Sequence, residues 1–185
     1  MASFIEEDYE RIKKLFEVNL LGTILVNKIF YPLLNQNGKI LITTSEVASF
    51  DPLPFNGVYS VSKTALDSYA QVLRQELNLL GQKVITLRPG AVETNLSTGS
   101  LTATEKLVEE TTLYKNESKH FLSLTKKFMG KPISTQKLAT FVYKISTKKR
   151  PKAVYSKHRN LGLILLSILP KSLQCYIVKK LLKRK

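Results

Sequence analysis

Tyr59 and Lys63 are the side chains of this sequence whose types and spacing are best suited to acid–base chemistry. They are four residues apart, so on a helix they occupy one face, one turn from each other. An ammonium group beside a phenol stabilises the phenolate, so we expect the tyrosine pKa to lie below its ordinary value of about 10. Such a tyrosine can act as a general acid or base near neutral pH. The alternative is a solvated lysine next to a half-buried tyrosine, and the neighbouring segments decide between the two.

The segments around this pair predict a βαβ unit. Apolar runs rich in β-branched residues, at 38–45 and 83–90, predict two buried parallel strands. Between them, the helical spacing of apolar residues from 57 to its stop at Gly81 predicts the helix that carries the pair. In open α/β sheets, ligands bind beyond the carboxyl ends of the strands. Ser45 and Thr94 follow two such ends, and we expect them at the same edge as the pair.

Helices are also predicted before and after this unit. A long helical pattern runs from about Glu6 to Leu34 and contains Asn19 among apolar residues. Asparagine is unfavourable inside helices because its side chain competes for backbone hydrogen bonds, so a buried Asn19 needs partners. The segment from Ser134 to Thr147 predicts an amphipathic helix that packs on the core, and Ala153 to Tyr155 predicts a short final strand.

In combination, these segments resemble the short-chain dehydrogenase/reductase family. Its helix asparagine, its serine after a strand, its Tyr-x-x-x-Lys pair and its Pro-Gly-x-Val-x-Thr turn occur in order, as Asn19, Ser45, Tyr59, Lys63, Pro89, Gly90, Val92 and Thr94. Thr44 replaces the first of the family's usual paired serines. The resemblance covers about residues 5–157. It implies an α/β fold, a partial Rossmann-like, doubly wound parallel sheet of about three strands with flanking helices.

The resemblance also implies an activity, hydride transfer between NAD or NADP and a carbonyl or alcohol. The apolar, basic end of the chain suggests that this substrate is lipophilic. Tyr59 would pass the proton to or from the substrate oxygen, which Ser45 would orient. Lys63 would hold the nicotinamide ribose and lower the tyrosine pKa. Asn19 would hold a water that links Lys63 to solvent.

The remaining motif residues are expected at the cofactor. The backbone of Val92 and the side chain of Thr94 would contact the nicotinamide carboxamide and the phosphates, after the turn made by Pro89 and Gly90. In the family, the region equivalent to residues 96–117 is a lid over the substrate. Its Thr-, Ser- and Glu-rich composition fits a solvated surface loop and helix equally well.

The family's opening strand and glycine-rich turn, which bind the cofactor phosphates, have no counterpart in the sequence. None of its eight glycines stands in such a turn, and the residue that distinguishes NAD from NADP is absent too. The strand at 38–45 would then have an open edge. Truncation, a misplaced start or complementation by another chain would each explain this pattern. A second hypothesis is therefore a catalytically incompetent remnant that at most binds a partner or a membrane surface.

Charge is distributed unevenly along the chain. Residues 1–117 hold 11 Lys/Arg and 14 Asp/Glu, a net charge of −3, whereas residues 118–185 hold 18 Lys/Arg and no Asp or Glu. This asymmetry suggests an anionic partner. Nucleic acid is the less favoured partner, because no recognition motif is present and aliphatic rather than aromatic residues separate the basic ones.

The end of the chain favours a membrane surface. Residues 161–169 are apolar except for Ser167, too few for a span of ~20 residues, and Pro170 interrupts them. Apolar residues on one side of 171–185, with basic residues that include Arg184 and Lys185 at the end, fit an amphipathic helix on an anionic leaflet. The alternative is packing of 161–169 against the sheet or a dimer partner.

These patterns divide the chain into a dehydrogenase domain, 1–157, and a basic, apolar helical tail, 158–185. The single cysteine, Cys175, excludes an internal disulfide, and the polar, acidic N-terminus carries no secretory signal. We therefore expect a cytoplasmic protein, peripheral at the membrane. No metal site is predicted, because His120 and His158 lack metal-ligand spacing. By resemblance, the helices with Tyr59 and Asn19 build a dimer interface, so a homo-oligomer is expected.

Overall fold

A computed structural model describes residues 1–128 and 131–183 of the chain. In chain order the elements are α1 (Tyr9–Phe16), a π-helical turn (Glu17–Leu21), α2 (Gly22–Phe30), a 3-10 turn (Tyr31–Leu33), β1 (Lys39–Thr43), a 3-10 turn (Glu46–Ser49), α3 (Gly57–Leu79), β2 (Lys83–Pro89), α4 (Asn95–Glu110), α5 (Lys115–Phe128), α6 (Thr135–Ser146), β3 (Val154–Lys157), α7 (Leu161–Ile168) and α8 (Lys171–Leu182).

The three strands form one parallel sheet in the order β1-β2-β3. Lys39 pairs with Lys83 at one end of the first ladder, and Thr86 pairs with Val154 at the start of the second. Crossover helices connect the strands, as parallel pairing requires. The predicted α/β fold, an open Rossmann-like sheet of three parallel strands, is confirmed. Within the described residues, the outer edge of β1 has no strand partner.

Helices cover both faces of the sheet. On one face, α3 packs over the strands through a cluster that includes Ile42, Leu66, Ala70, Leu77 and Val84, with Leu20 of the π-helical turn against it. On the other face, α6 packs through a cluster that includes Ile85, Leu87, Leu138, Phe141 and Ile145. Strand residues of alternating direction therefore serve two cores, which explains why both strands read as continuous apolar runs.

The long N-terminal helical pattern begins at Tyr9 rather than Glu6 and is not a single α-helix. It changes to a π-helical turn at Glu17–Leu21, returns to α-helix at Gly22 and ends in a 3-10 turn at Leu33. π-Helical turns inside α-helices frequently occur at functional sites. This one contains Asn19.

Residues 158–183 pack against the rest of the chain rather than extending from it. Leu182 joins Phe55, Leu107 and Phe121 in a third apolar cluster, and Asp51 accepts hydrogen bonds from Lys171 and Gln174 in α8. These contacts are made by α8, with the 46–55 loop and α5 as partners, so packing of residues 161–169 against the sheet or a dimer partner stays a prediction. Arg184 and Lys185 lie outside the described residues. The division at residue 157 stays a prediction.

No helix within the described ranges is both long enough and apolar enough to cross a membrane.

Glu6 ties the N-terminal segment to the junction of α4 and α5. Its carboxylate accepts hydrogen bonds from the hydroxyls of Ser3, Thr111 and Thr112, and from the amides of Thr112 and Leu113. These donors, the Leu113 amide first, lower the Glu6 pKa to about 2. Five donors on one carboxylate hold two distant parts of the chain together.

Candidate active site

Tyr59 and Lys63 lie in the first two turns of α3, which begins at Gly57 after the N-cap Asn56. Both side chains are half-buried, and the Lys63 Nζ lies 5.9 Å from the centroid of the Tyr59 ring. The predicted placement of the two groups on one helix face is confirmed.

The expected lowering of the Tyr59 pKa is wrong for this structure. Burial raises the pKa of the phenol above its ordinary value, a hydrogen bond with the Ser45 side chain opposes this, and the charge of Glu46 adds to it. The expectation depended on the Lys63 ammonium one turn away, which is not among the causes of the shift. Removing a phenolate from water costs free energy, and here this effect outweighs the others.

Lys63 makes no hydrogen bond or ion pair with any residue that the structure describes. Its burial lowers the pKa of the amine. A half-buried ammonium group without an acceptor is suited to ligand oxygens, because a buried charge is stable only when it is paired.

Thr44 and Ser45 follow β1 directly, and their hydroxyls have different partners. The Thr44 hydroxyl donates to Asp67 Oδ1 at 3.1 Å, inside the protein. Ser45 caps the short 3-10 turn after β1, its Oγ accepting from the Val47 amide at 3.3 Å, and it also bonds Tyr59. Only Ser45 therefore faces Tyr59, although both hydroxyls are buried.

Asn19 lies behind α3, on the far side of the helix turn that carries Tyr59 and Lys63. Its Nδ2 donates to the Ser62 Oγ at 3.1 Å, and Ser62 donates to the Tyr59 carbonyl oxygen at 2.8 Å. The expectation that Asn19 needs a partner is confirmed, and that partner is Ser62. Ser62 was missed in the sequence because a serine inside a helix gives no signal of its own.

The Pro89-Gly90 turn meets the end of β3. The Gly90 amide donates to the Lys157 carbonyl at 2.8 Å. A β-carbon on Gly90 would lie 1.8 Å from the His158 carbonyl oxygen and 3.1 Å from Glu46 Oε1. Only glycine fits here, because backbone, which cannot move aside like a flexible side chain, passes directly over it.

Val92 and Thr94 follow this turn. Val92 forms a parallel β-bridge with Ile133, made through the Ala91 carbonyl and the Glu93 amide. The Thr94 hydroxyl lies 3.5 Å from the Val92 carbonyl oxygen, and the residue is exposed. The bridge fixes the direction in which the chain leaves the edge of the sheet towards α4.

Glu46 is a charged member of the site that the sequence reasoning missed. Its carboxylate lies between Gly90 and the chain after β3, where it accepts from the Asn160 amide at 2.7 Å. Burial raises its pKa, and the Asn160 bond and the charges of Arg159 and His158 oppose this. The Ser45-Glu46 order was visible in the sequence, but the contact with Asn160 is 114 residues away along the chain.

Asp67 and Arg88 were also missed, and they position the edge of the sheet. Arg88, near the end of β2, binds both oxygens of Asp67 on α3, with its Nε 2.8 Å from Oδ1. Asp67 also accepts from Thr44 at the end of β1. One carboxylate therefore fixes α3 against two strand ends, one turn beyond Lys63. Asp67 and Arg88 lie on different elements, so no local sequence pattern indicates that they pair.

The structure brings Ser45, Tyr59 and Lys63 together at the carboxyl edge of the sheet, with Glu46 and Gly90 beside them. Among the residues that the structure describes, Ser62 connects Asn19 to this group. Thr94 lies at the exposed start of the chain towards α4.

A family model described as short chain dehydrogenase matches residues 1–105. This match covers more than half of the chain, and the chain therefore belongs to the short-chain dehydrogenase family.

Two curated relatives match nearly the whole chain. Estradiol 17-beta-dehydrogenase 2 of Mus musculus is 30% identical over 182 residues, which are 91% of this chain and 47% of the relative. The uncharacterized oxidoreductase YusZ of Bacillus subtilis is 28% identical, covering 97% of this chain and 66% of its own length. A third relative is the NADPH-dependent 1-acyldihydroxyacetone phosphate reductase of Schizosaccharomyces pombe. It is 33% identical over 114 residues, which are 61% of this chain and 38% of the relative. The chain spans about half the length, or less, of most of these relatives.

Solved structures show the same fold. A short-chain dehydrogenase from Streptomyces avermitilis superposes with a TM-score of 0.68 at 16% identity, covering 97% of this chain and 64% of that chain. A short-chain dehydrogenase from Burkholderia cenocepacia in complex with NADP superposes with a TM-score of 0.65 at 18% identity, covering 100% and 65%.

Proposed function

We propose that this chain is the catalytic part of an oxidoreductase that transfers a hydride between NAD(P) and a carbonyl or alcohol. The observation that carries the proposal is the contact of Tyr59 with Ser45 beside Lys63, whose ammonium lies over the Tyr59 ring and makes no hydrogen bond or ion pair with any described residue. One polar hydroxyl, one phenol and one ammonium at the carboxyl edge of a parallel sheet suit the reduction of a carbonyl.

Tyr59 transfers the proton in this proposal. Because its pKa is raised, the phenol is protonated at neutral pH and can donate its proton to the substrate oxygen as a carbonyl becomes an alcohol. Ser45 donates a hydrogen bond to the same oxygen and orients it. In the reverse direction, Tyr59 accepts the alcohol proton, which becomes easier as pH rises. The bound nicotinamide supplies or accepts the hydride.

Lys63 holds the ribose hydroxyls of the nicotinamide, and Asn19 supports it through ordered water behind α3. Val92 and Thr94 bind the carboxamide and the phosphates after the Pro89-Gly90 turn. The residues that would bind the pyrophosphate are not in this sequence, which has no glycine-rich turn. The proposal therefore covers NAD and NADP alike.

The substrate is proposed to be a lipophilic alcohol or carbonyl. Two relatives are named for estradiol and for 1-acyldihydroxyacetone phosphate, both with large apolar parts. A cavity of about 690 Å³ lies between the N-terminal segment, the 51–57 loop and α8. Gly57 and Val61 of α3 line one wall and Val178 and Leu182 of α8 the other, whereas Ser45, Tyr59 and Lys63 do not line it.

The test is oxidation of NADH and NADPH by the purified chain, with estrone and an acyldihydroxyacetone phosphate as substrates. Tyr59→Phe should lose about 10²–10⁴-fold in rate, because it keeps the ring and removes the acid. Tyr143→Phe, an exposed tyrosine on α6, is the control and should keep the wild-type rate. Equal rates for wild type and Tyr59→Phe would contradict the assignment.

The second candidate is the catalytically incompetent remnant, which the absence of a glycine-rich turn favours. Fluorescence titration with NADH and NADPH separates the two. Binding that weakens in Lys63→Met supports the oxidoreductase. Failure of wild type to bind either cofactor, together with no turnover, supports the remnant.

A further inference from the structure

The outer side of α7 is an apolar stripe open to solvent. Leu161, Leu165 and Ile168 are 74%, 67% and 72% exposed. Their spacing of i, i+4 and i+7 puts them on one face of the helix. Three large aliphatic side chains in a row on a protein surface mark an interaction site more often than three scattered ones.

α8, which follows α7 after Leu169 and Pro170, also exposes apolar side chains. Leu173 and Tyr176 are exposed at i and i+3. The opposite side of α8 is fixed to the protein, because Gln174 and Leu182 are buried there. We call Leu161, Leu165, Ile168, Leu173 and Tyr176 the outer face.

The two helices hold the outer face in a defined orientation. Asn160 caps α7, its side chain accepting from the Leu163 amide, while its own amide binds Glu46. Lys171 and Gln174 bind Asp51. A face that is fixed from behind keeps its apolar residues exposed rather than folding them inward.

Lysines lie beside the outer face. Lys179 and Lys180 on α8, and Lys183 just after it, are exposed, and Lys180 Nζ lies 5.6 Å from the centroid of the Tyr176 ring. Residues 118–185 contain no Asp or Glu, and Asp51 beside α8 is bound by Lys171 and Gln174. Apolar side chains with lysines next to them are complementary to a surface that is apolar inside and anionic outside.

We propose that the outer face docks on the anionic leaflet of a lipid membrane. α7 has eight residues and is about 12 Å long, so it lies in the interface rather than crossing it. Lysines then reach the headgroups while leucines enter the acyl boundary. This goes beyond the proposed function, because it requires neither cofactor nor turnover.

Two other occupants fit less well. A second copy meeting this face in a symmetric dimer would bring identical lysine borders together, and like charges repel. A nucleic acid would use the lysines but gains little from exposed leucines and isoleucine. The combination of both residue types favours lipid.

The experiment uses a fluorescent reporter, because the chain has no tryptophan. Tyr176→Trp puts one on the outer face, and Tyr143→Trp puts one on α6, at a tyrosine that is 72% exposed. With vesicles of phosphatidylcholine and phosphatidylserine at low salt, the first emission should shift to the blue and the second should not. Vesicles of phosphatidylcholine alone, or 0.5 M NaCl, should reduce binding strongly.

Variants with matched controls test each half of the surface by vesicle flotation. Leu165→Ser with Ile168→Ser should lose at least about tenfold in binding, whereas Leu79→Ser with Leu80→Ser, exposed at the end of α3, should not. Replacing Lys179, Lys180 and Lys183 by Gln should also lose about tenfold or more. Lys144, Lys148 and Lys149 are exposed at the other end of the sheet, and replacing them by Gln should reduce vesicle binding much less.

Three results would overturn the proposal. The first is no blue shift of Tyr176→Trp with anionic vesicles. The second is binding that depends on the lysines alone, unchanged in the Leu165 and Ile168 variant and equal for a DNA duplex, which indicates a general polyanion site. The third is self-association that this leucine variant abolishes, which assigns the outer face to a second copy. Circular dichroism and thermal melting confirm that each variant is folded.

Discussion

The Tyr59 phenol is influenced by the hydroxyl of Ser45, which lowers its pKa, and by the carboxylate of Glu46. Its own burial raises the pKa of the phenol, and the negative charge of Glu46 raises it further. At the residue scale, Glu46 therefore opposes formation of the phenolate, whatever the cofactor later contributes.

The first prediction concerns this carboxylate. Glu46→Gln should lower the Tyr59 pKa towards its ordinary value, because it removes a charge that repels the phenolate. The measurement is phenolate absorbance against pH, each protein compared with its own Tyr59→Phe variant. Glu76→Gln, near the other end of α3, should leave the titration unchanged. A Tyr59 pKa below about 10 in the wild-type chain without cofactor would contradict the structure.

Ser62 is the second residue with a defined role, since it joins Asn19 to the backbone of Tyr59. Ser62→Ala leaves the Asn19 amide without its partner and should cost about 1–3 kcal/mol in the free energy of unfolding. Ser68→Ala, exposed on the same helix, should change it by less than about 0.5 kcal/mol. Urea unfolding of both variants gives the comparison, and equal stabilities would show that this contact is unimportant.

At the scale of elements, the end of β3 crosses the Pro89-Gly90 turn. Gly90→Ala should destabilise the chain by at least about 1–3 kcal/mol, because its β-carbon overlaps the His158 carbonyl oxygen and forces the backbone apart. Gly99→Ala, in α4 with nothing near the added carbon, should stabilise by up to about 1 kcal/mol. Thermal melting of the two alanine variants measures this contrast, and a Gly90→Ala protein as stable as wild type would contradict it.

The elements that the sequence predicts well are those with strong local patterns. β1, α3 and β2 lie where apolar runs and helical spacing put them, and α6 begins and ends within a residue of its prediction. Residues 96–117 were expected to form a lid or a surface loop and helix, and no helix was predicted over 118–128, whereas the structure has helices at Asn95–Glu110 and Lys115–Phe128. Their apolar residues are too sparse to give a clear helical pattern.

The site divides in the same way. Ser45, Tyr59 and Lys63 meet at one edge because the topology of a βαβ unit brings strand ends together. The proton affinity of Tyr59, the roles of Glu46 and Ser62, and the Asp67–Arg88 pair depend on contacts between distant residues and on burial. A local sequence pattern shows neither the contacts between distant residues nor the burial of a side chain, so these features could not be predicted.

At the scale of the whole molecule, the π-helical turn and α2 expose apolar residues on a side that no described element covers, among them Leu21, Leu25, Val26 and Ile29. We predict that this side forms a homo-oligomer, because contiguous apolar surface is rarely left in water. Leu25→Lys with Ile29→Lys should reduce the mass measured by light scattering to that of one chain. Leu113→Lys with Tyr143→Lys, exposed elsewhere, should not. A monomeric wild-type chain would contradict the prediction.

Glu6 has a consequence for how the molecule is cut by proteases. Its pKa of about 2 lies below the ordinary 4.5, so its contribution to stability is complete above pH 4.5 and is lost progressively as the pH falls from 4.5 through about 2. Above pH 4.5 the contact is therefore intact, and a substitution is needed to release it. In Glu6→Gln, the N-terminal segment and the α4–α5 junction should become sensitive to trypsin together, at Arg11 and Lys115, whereas Glu10→Gln should keep both protected. The Glu6 carboxylate thus links the protease sensitivity of two sites, Arg11 and Lys115, that lie 104 residues apart in the sequence.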